Sequence, residues 1–187
     1  FQLSVYIIYM KKKWIIVSYN SKYFLRVGRF VFQCQIGSGG FKQFSRKVEG
    51  DNSTPLGLWK ISSIYFRPDR IIRPKTFKKN ILKINKINRN SAWCNDIKSK
   101  HYNNHIEINQ FSKRNISYER LWREDCAYDI FLEISHNRKP TIMNKGSAIF
   151  IHCSFNDYRC TSGCVALKKR DLTFLIKKMK HEVFIKI

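Results

Sequence analysis

The sequence predicts a single domain that is mostly β, with one short amphipathic helix near its C-terminal end. The segments WIIVSYN (14–20) and YFLRVGRFVFQCQI (23–36) are rich in β-branched and aromatic residues and are separated by a turn-prone stretch. AYDIFLEI (127–134) alternates as a strand does, and SAIFIH (147–152) is a short apolar run typical of a buried strand. With 187 residues and neither an internal repeat nor a linker, the chain fits one α+β domain.

The predicted helix follows the last of these strands. Leu172, Leu175, Ile176 and Met179 recur at the i, i+3, i+4 and i+7 spacing of one helix face, and Asp171 is a suitable N-cap residue. EVFIKI (182–187) then closes the chain as a further strand.

Three segments between the apolar runs are predicted to lie outside the core strands. IGSGG (36–40) is expected to be a turn, because it lacks the GK[ST] ending of a phosphate-binding loop. EGDNSTPLGLW (49–59) is a polar loop that leads into the apolar LWKISSIYF (58–66). Residues 67–118 show little periodicity and are predicted to be a long irregular insertion that covers the core or holds a substrate.

The composition allows either an enzyme or a binding protein for an anionic partner. Lys and Arg number 36 and Asp and Glu 13, which gives a formal net charge of +23. Such a charge suits a polyanion or an acidic surface, but the lysines are scattered along an Asn- and Ile-rich chain, as codon drift towards A and T would produce. A basic polyanion-binding protein therefore stays open as the non-enzyme alternative.

The ends and the cysteines set further expectations. No apolar run approaches the ~18 residues of a transmembrane helix, and no signal peptide is legible. Residues 1–9 are interpreted either as an N-terminal extension or as a truncated start, and 10–187 as the domain. The six cysteines are irregularly spaced, which does not indicate a disulfide framework.

Cys164 and His152 are the candidate reactive pair. His152 ends an apolar strand, and Cys164 follows a glycine in TSGCVAL (161–167). An imidazole close to a thiol can take its proton and leave a thiolate–imidazolium pair, which attacks a carbonyl carbon to form a thioester. Backbone N–H groups at Gly163 and Cys164 would then hold the oxyanion.

Residue types alone leave two alternatives to this chemistry. Cys164 could be a buried, inert cysteine. His152, Cys153, Cys160 and Cys164 could instead bind a metal, since Cys-x3-Cys lies within the range of zinc spacings, although the paired second half of a usual zinc motif is missing.

An ordered series of motifs resembles the L,D-transpeptidase catalytic domain family (YkuD-like), in the branch with a GSAIF-h-H…T-x-GC-h-AL ending. The series runs in order over nearly the whole chain, which makes it specific. Its members are GSGG (37–40), EGDNSTPLG (49–57), WCND (93–96), ERLWREDCAYD (119–129), HNRKP (136–140), GSAIFIH (146–152) and TSGCVAL (161–167).

The resemblance implies a curved β-sandwich with Cys164 as nucleophile and His152 as base. It implies that the backbone carbonyl of Cys153 orients the His152 ring, as the Asp does in a serine triad. The implied reaction is acylation by a peptidoglycan stem tetrapeptide with loss of the terminal D-Ala, followed by 3→3 cross-linking to a second stem. If water accepts the acyl group, the outcome is L,D-carboxypeptidase trimming. The resemblance calls for no cofactor or metal.

Two departures from the commonest family motif concern the substrate. Ser162 stands where most members have a second histidine, and Ala166 where they have Asn or Arg, so polar groups that would bind substrate are missing. Ser162 and Gly163 are predicted to support the oxyanion. His136 is predicted to add a second imidazole, and Arg120 and Arg123 to meet a substrate carboxylate.

The family resemblance also sets the expected partners and place of action. The partners are peptidoglycan stem peptides, and no nucleic acid is expected. The expected state is a monomer in the periplasm or cell envelope, with the cytoplasm as the alternative because no signal peptide is legible.

Overall fold

The computed structural model describes residues 13–72, 82–111, 115–155, 159–179 and 182–187. Strands dominate these residues, as the sequence predicts, and they are accompanied by one α-helix and two short 3-10 helices at Phe44–Arg46 and Ile108–Phe111. The strands and the helix are β1 (Lys13–Tyr19), β2 (Lys22–Val27), β3 (Phe30–Gln35), β4 (Phe41–Gln43), β5 (Thr54–Leu56), β6 (Leu58–Phe66), β7 (Lys83–Lys86), β8 (Ser91–Cys94), β9 (His105–Glu107), β10 (Tyr118–Arg120), β11 (Ile130–Ile134), β12 (Phe150–Cys153), β13 (Val165–Leu167), α1 (Lys169–Lys178) and β14 (Phe184–Lys186).

The main sheet is curved and closes on itself. Its order is β11-β12-β13-β3-β2-β1-β14-β6-β7, and β11 also pairs with β6. Because β6 pairs with both β14 and β11, eight strands form a continuous hydrogen-bonded ring, which leaves few unpaired strand edges. This confirms the prediction of a mostly β fold with curved sheets.

Two hydrophobic clusters pack against opposite faces of β12. Ile151 and Cys153 belong to the larger cluster, which also buries the apolar face of α1. Phe150 belongs to a second, aromatic cluster that includes Cys164. Successive residues of a strand point to opposite faces, so β12 separates the main core from the side that holds the candidate site.

The prediction of an irregular segment over residues 67–118 is wrong. This stretch contains β7 and most of a separate three-stranded sheet, in the order β10-β8-β9. All four residues of β8 are buried, so the strand lacks the alternation by which a half-buried strand is found in sequence. The small sheet packs around its own cluster of Ala92, Cys94, Ile106 and Phe111.

The predicted C-terminal helix is present, but it starts earlier than expected. Helix α1 begins at Lys169 with Lys168 as its N-cap, and Asp171 lies in the first turn and does not cap the helix. A carboxylate in the first turn still interacts favourably with the helix dipole.

The predicted boundary of the domain at residue 10 lies outside the described residues.

Candidate active site

Parallel pairing of two short strands brings the candidate base and nucleophile together. In the register of β12 and β13, His152 lies opposite Ala166, and Cys164 directly precedes β13. Both side chains line one cavity of about 680 Å³. The sequence-predicted residues that line this cavity are Arg120, Arg123, His152, Ser162 and Cys164.

His152 is held by its own strand. The ring is 4% exposed, and its Nδ1 lies 2.8 Å from the carbonyl oxygen of Cys153. Since a carbonyl only accepts hydrogen bonds, Nδ1 carries the proton and Nε2 has the lone pair. The ring packs edge-on against Tyr128 at 5.5 Å and Phe155 at 6.4 Å. Burial lowers the pKa of His152 to about 4, so the imidazole is neutral at pH 7.

Cys164 is a buried thiol between two backbone groups. Its Sγ donates to the carbonyl oxygen of Ala148 at 3.1 Å and accepts from the N–H of Phe150 at 3.2 Å. Burial raises the pKa of Cys164 to about 12. Burial disfavours the charged form of both partners, which argues against a thiolate–imidazolium pair as the resting state.

The loop before Cys164 is held by Thr161. Thr161 Oγ1 donates to the carbonyl oxygen of Cys164 at 2.6 Å and accepts from the N–H of Gly163 at 3.1 Å. The Gly163 amide is thus engaged within the loop, which argues against the expectation that it supports an oxyanion. Gly163 has φ +133°, and a Cβ there would lie 2.8 Å from the carbonyl oxygen of Ser53. The exposed Ser162 faces the cavity.

The glycine loop at 36–40 supports the nucleophile loop. Ser38 N–H donates to the carbonyl oxygen of Thr161 at 2.9 Å. A Cβ on Gly37 would lie 2.1 Å from the carbonyl oxygen of Asn52 and 2.9 Å from the Cα of Gly163. The predicted turn is confirmed, because Gly40 N–H donates to the Gly37 carbonyl oxygen at 2.9 Å. Sequence reasoning missed its contact with the catalytic loop, although both segments belong to the ordered motif series.

The two candidate arginines differ in the groups that they already contact. The Nε of Arg123 lies 3.1 and 3.0 Å from the two carboxylate oxygens of Asp125, and its Nη1 lies 3.6 Å from Glu119. Arg120 is exposed, lies 5.8 Å from the ring of Tyr118 and forms no ion pair within the described residues. Arg120 is therefore the better placed of the two to meet a substrate carboxylate.

His136 does not join the cavity. It is 2% exposed and packs edge-on between Phe44 at 5.6 Å and Trp59 at 5.0 Å, with Nε2 3.0 Å from the carbonyl oxygen of Lys145. Its ring is absent from the cavity lining, so its position does not support the predicted second imidazole. Burial lowers the pKa of His136 to about 4.

The alternative metal site is not assembled. Cys153 Sγ donates to the carbonyl oxygen of Ile130 at 3.4 Å, in the main core, whereas His152 faces the cavity on the other side of β12. Cys160 is exposed at the cavity and, like Cys164, is a free thiol. Within the described ranges, no group of three His, Cys, Asp or Glu residues is arranged to hold a metal ion.

The cavity lining also includes residues that sequence reasoning did not assign to the site, among them Lys47, Glu119, Tyr128 and Ser147. Tyr128 OH donates to Glu119 Oε1 at 2.6 Å, and Lys47 Nζ lies 2.5 Å from Asp51. Glu119 and Tyr128 belong to the motif ERLWREDCAYD. The motif was the available signal, but it does not show which of its side chains face a cavity.

The mostly β fold and the cavity lined by Cys164 and His152 agree with the class of cysteine-dependent acyltransferases. The family model of the L,D-transpeptidase catalytic domain (YkuD) matches residues 12–185, and the chain belongs to this family. The family comprises cysteine-dependent acyltransferases that act on peptidoglycan and typically work in the cell envelope. No curated protein matches the chain. Among the described residues, no helix has the length and apolarity needed to cross a membrane.

Proposed function

We propose that this protein is a peptidoglycan L,D-transpeptidase that forms 3→3 cross-links through a thioester on Cys164. The observation that carries the proposal is that Cys164 and His152 line one cavity, with His152 oriented by the carbonyl of Cys153. The family membership supplies the substrate class, which is peptidoglycan. The protein is proposed to act as a monomer, in the periplasm or cell envelope.

In the acylation step the thiol of Cys164 attacks the carbonyl carbon of the amide bond that joins the L-centre of a donor tetrapeptide to its terminal D-Ala. As the S–C bond forms, the Sγ proton moves to Nε2 of His152. The same proton then passes to the nitrogen of the leaving D-Ala as the C–N bond breaks. Because both partners rest in their neutral forms, proton transfer accompanies attack and no thiolate accumulates beforehand.

In the second step the amine of an acceptor stem attacks the thioester carbonyl. His152 accepts the amine proton, the C–S bond breaks, and Sγ takes the proton back. The N–H of Phe150, which already contacts Sγ at 3.2 Å, stabilises the negative charge on sulfur in both steps. The amides of Ser162 and Cys164 are the proposed oxyanion donors, since the Gly163 amide is engaged by Thr161.

Arg120 is proposed to bind a carboxylate of the donor peptide. It is an exposed guanidinium on the wall of the same cavity, and a guanidinium presents two parallel donors to a carboxylate. Arg123 is proposed to shape this wall through its pair with Asp125.

The test is to incubate wild type and Cys164→Ala with purified tetrapeptide muropeptides and to identify the products by mass spectrometry. Cross-linked dimers indicate transpeptidation, and tripeptides indicate carboxypeptidation. Cys126→Ala is the matched control, because Cys126 is an exposed free cysteine that does not line the cavity. Products that persist in Cys164→Ala, or none in wild type, would refute the proposal.

A further inference from the structure

The tip of the hairpin formed by β2 and β3 exposes apolar side chains on both of its faces. Phe30, the first residue of β3, is 37% exposed, and the next residue, Val31, is 56% exposed. Successive residues of a strand point to opposite faces, so these two side chains leave the tip on different sides. Helix α1 adds a further ring, since Phe174 packs edge-on against Phe30 with 5.2 Å between the ring centroids. Apolar side chains that are exposed together mark interaction surfaces more often than scattered single ones do.

A positive charge lies over each of these two rings. The guanidinium carbon of Arg29 is 5.4 Å from the centre of the Phe30 ring, and Nζ of Lys178 is 5.6 Å from the centre of the Phe174 ring. Lys177 is exposed beside Lys178 at the end of α1. Within the described ranges, none of these three cations forms an ion pair with a carboxylate. The surface is named the hairpin patch and consists of Arg29, Phe30, Val31, Phe174, Lys177 and Lys178.

Acidic side chains are scarce around the hairpin patch. The first acidic residue of the chain is Glu49, so strands β1 to β4 contain none. Helix α1 contains one, Asp171, whose carboxylate lies 3.3 Å from Nε of Arg170. Glu182, just before β14, is paired with Lys60. The positive charge of the hairpin patch is therefore not neutralised by the part of the chain that the structure describes.

The hairpin patch and the candidate active site lie at opposite ends of β3. Gln35, near the far end of this strand, pairs with Ala166, which lies opposite His152 in the neighbouring strand. Phe30 is five residues away from Gln35 along β3, which corresponds to about 17 Å of extended strand. None of the residues of the hairpin patch lines the cavity of Cys164. A partner that binds this patch therefore leaves the cavity open.

The combination of rings and unpaired cations matches the surface of an acidic bilayer. Cations are attracted to anionic headgroups, and apolar side chains beside them enter the boundary between headgroups and acyl chains. A hairpin tip that is apolar on both faces suits this position, because lipid surrounds it on both sides. We propose that the hairpin patch binds the surface of a bilayer that contains anionic phospholipids. This inference goes beyond the proposed function and does not depend on the chemistry of Cys164.

The same rings are poorly arranged to bind a nucleic acid. Proteins that bind single strands stack bases on free aromatic faces. Phe30 already stacks on Phe32, with 6.3 Å between the centroids and 23° between the planes, and Arg29 lies over its ring. The flat surface of Phe30 is thus occupied, which favours a bilayer over a nucleic acid as the partner.

The test measures how the protein partitions onto lipid vesicles by co-sedimentation. One set of vesicles contains equal parts of phosphatidylglycerol and phosphatidylcholine, and the other contains phosphatidylcholine alone. Wild type should bind the first set and remain in solution with the second. The double variant Arg29→Gln, Lys178→Gln should lower the partition coefficient for the anionic vesicles roughly 30-fold, because two cations leave the charged surface.

A second double variant controls for overall charge. Lys98→Gln, Lys100→Gln lowers the net charge by the same amount, but both lysines are exposed in the loop after β8 and do not belong to the hairpin patch. Its partition coefficient should stay within about twofold of the wild-type value, because charges more than a Debye length from the lipid are screened. Equal losses in the two double variants would show that only net charge matters and would overturn the proposal.

Two further variants test the apolar contribution. Phe30→Ser should lower the partition coefficient roughly fivefold, since a ring is lost from the lipid boundary. Val31→Ser should lower it in the same direction, and it keeps the test valid if Phe30→Ser unfolds, because Val31 is 56% exposed. Thermal unfolding of each variant reports whether the fold is kept.

Duplex DNA serves as a soluble polyanion for comparison. Attraction to its phosphates needs no insertion of a ring, so folded Phe30→Ser or Val31→Ser should bind DNA as wild type does. If wild type does not bind the anionic vesicles, or if the folded serine variants bind them as tightly as wild type, the proposal is wrong. It is also wrong if these variants lose as much affinity for DNA as for the vesicles.

Discussion

The Nδ1 atom of His152 lies 2.8 Å from the carbonyl oxygen of Cys153, its neighbour along the chain. One residue thus carries the proposed base and the next supplies the carbonyl group that orients its ring. The contact needs no distant side chain, because strand β12 holds both groups in one extended segment. It places the proton on Nδ1 and leaves Nε2 to act on the thiol or the amine.

Replacing His152 should abolish most of the D-Ala release. His152→Gln removes the general base, and such bases contribute roughly 10²–10⁴-fold to rate. His101→Gln is the control, since His101 packs on Phe111 and does not line the cavity. Release of D-Ala from tetrapeptide is measured for both variants, and a fall of less than tenfold in His152→Gln would contradict the assignment of the base.

Alkylation of the resting protein should be slow at Cys164 and should rise only at high pH. Burial raises the pKa of this thiol to about 12, so little thiolate exists at pH 7. The exposed Cys126 provides an internal comparison in the same sample. Iodoacetamide labelling from pH 6 to 10, followed by peptide mass mapping, checks this. Faster labelling of Cys164 than of Cys126 at pH 6–7 would show that a thiolate–imidazolium pair is present after all.

Stability should fall as the pH is lowered from about 6.5 to about 4. Burial lowers the pKa of both His136 and His152 to about 4, so within this window the unfolded state binds more protons than the folded one. Each histidine contributes a slope of about 1.4 kcal/mol per pH unit. Above the pKa of the unfolded histidines, the contribution of the two neutral histidines to the free energy of unfolding is fully present. Below their pKa in the folded state, this contribution is fully lost.

His136→Phe isolates one of these two contributions. Phenylalanine keeps the ring packing against Phe44 and Trp59 but cannot titrate. Urea unfolding at pH 7, 6 and 5 should show a shallower decline for this variant, with a cost of about 1 kcal/mol at pH 7 for the lost hydrogen bond to Lys145. Equal declines in variant and wild type would refute the attribution to His136.

Gly37→Ala should lower both stability and activity. The new Cβ would lie 2.1 Å from the carbonyl oxygen of Asn52 and 2.9 Å from Gly163 Cα, so the loop that carries Cys164 must shift. Overpacking of this kind typically costs ~1–3 kcal/mol. Thermal unfolding and the specific rate of D-Ala release measure the two effects.

Gly28→Ala is the control for that variant. Its Cβ meets nothing within 4 Å, but φ is +59°, so the change should cost roughly 1–2 kcal/mol through backbone strain alone. The folded fraction should release D-Ala at the wild-type rate. If Gly37→Ala also keeps that rate, the glycine loop does not position the nucleophile.

The predictions that the structure confirmed rest on patterns of residues that lie close together in the sequence. The β-rich apolar runs predicted the mostly β fold, and the periodicity from Leu172 to Met179 predicted α1, because strand and helix patterns are local. The ordered motifs predicted the family. The candidate residues Cys164 and His152 line one cavity, since each lies at the edge of a short apolar strand and parallel pairing aligns the two strands.

Non-local features were the ones that sequence reasoning missed or misread. The three-stranded sheet at residues 91–120 went unseen because its central strand is buried on both faces and pairs across long sequence separations. His136 was expected in the cavity because of its place in the chain, but packing between two aromatic rings removes it. Glu49, in a turn, and Glu119, on β10, line the same cavity although they are 70 residues apart in sequence.

Residue order suggested a thiol after a glycine and an imidazole at a strand end as the reacting groups, and the family resemblance added the carbonyl one residue on. The protonation states of the thiol and the imidazole could not be predicted from residue order. Residue types alone suggested an ion pair, whereas the closed sheet and the aromatic cluster bury both groups and keep them neutral. Burial is a property of the assembled fold, because the atoms that exclude water from Cys164 and His152 come from segments spread along the whole chain.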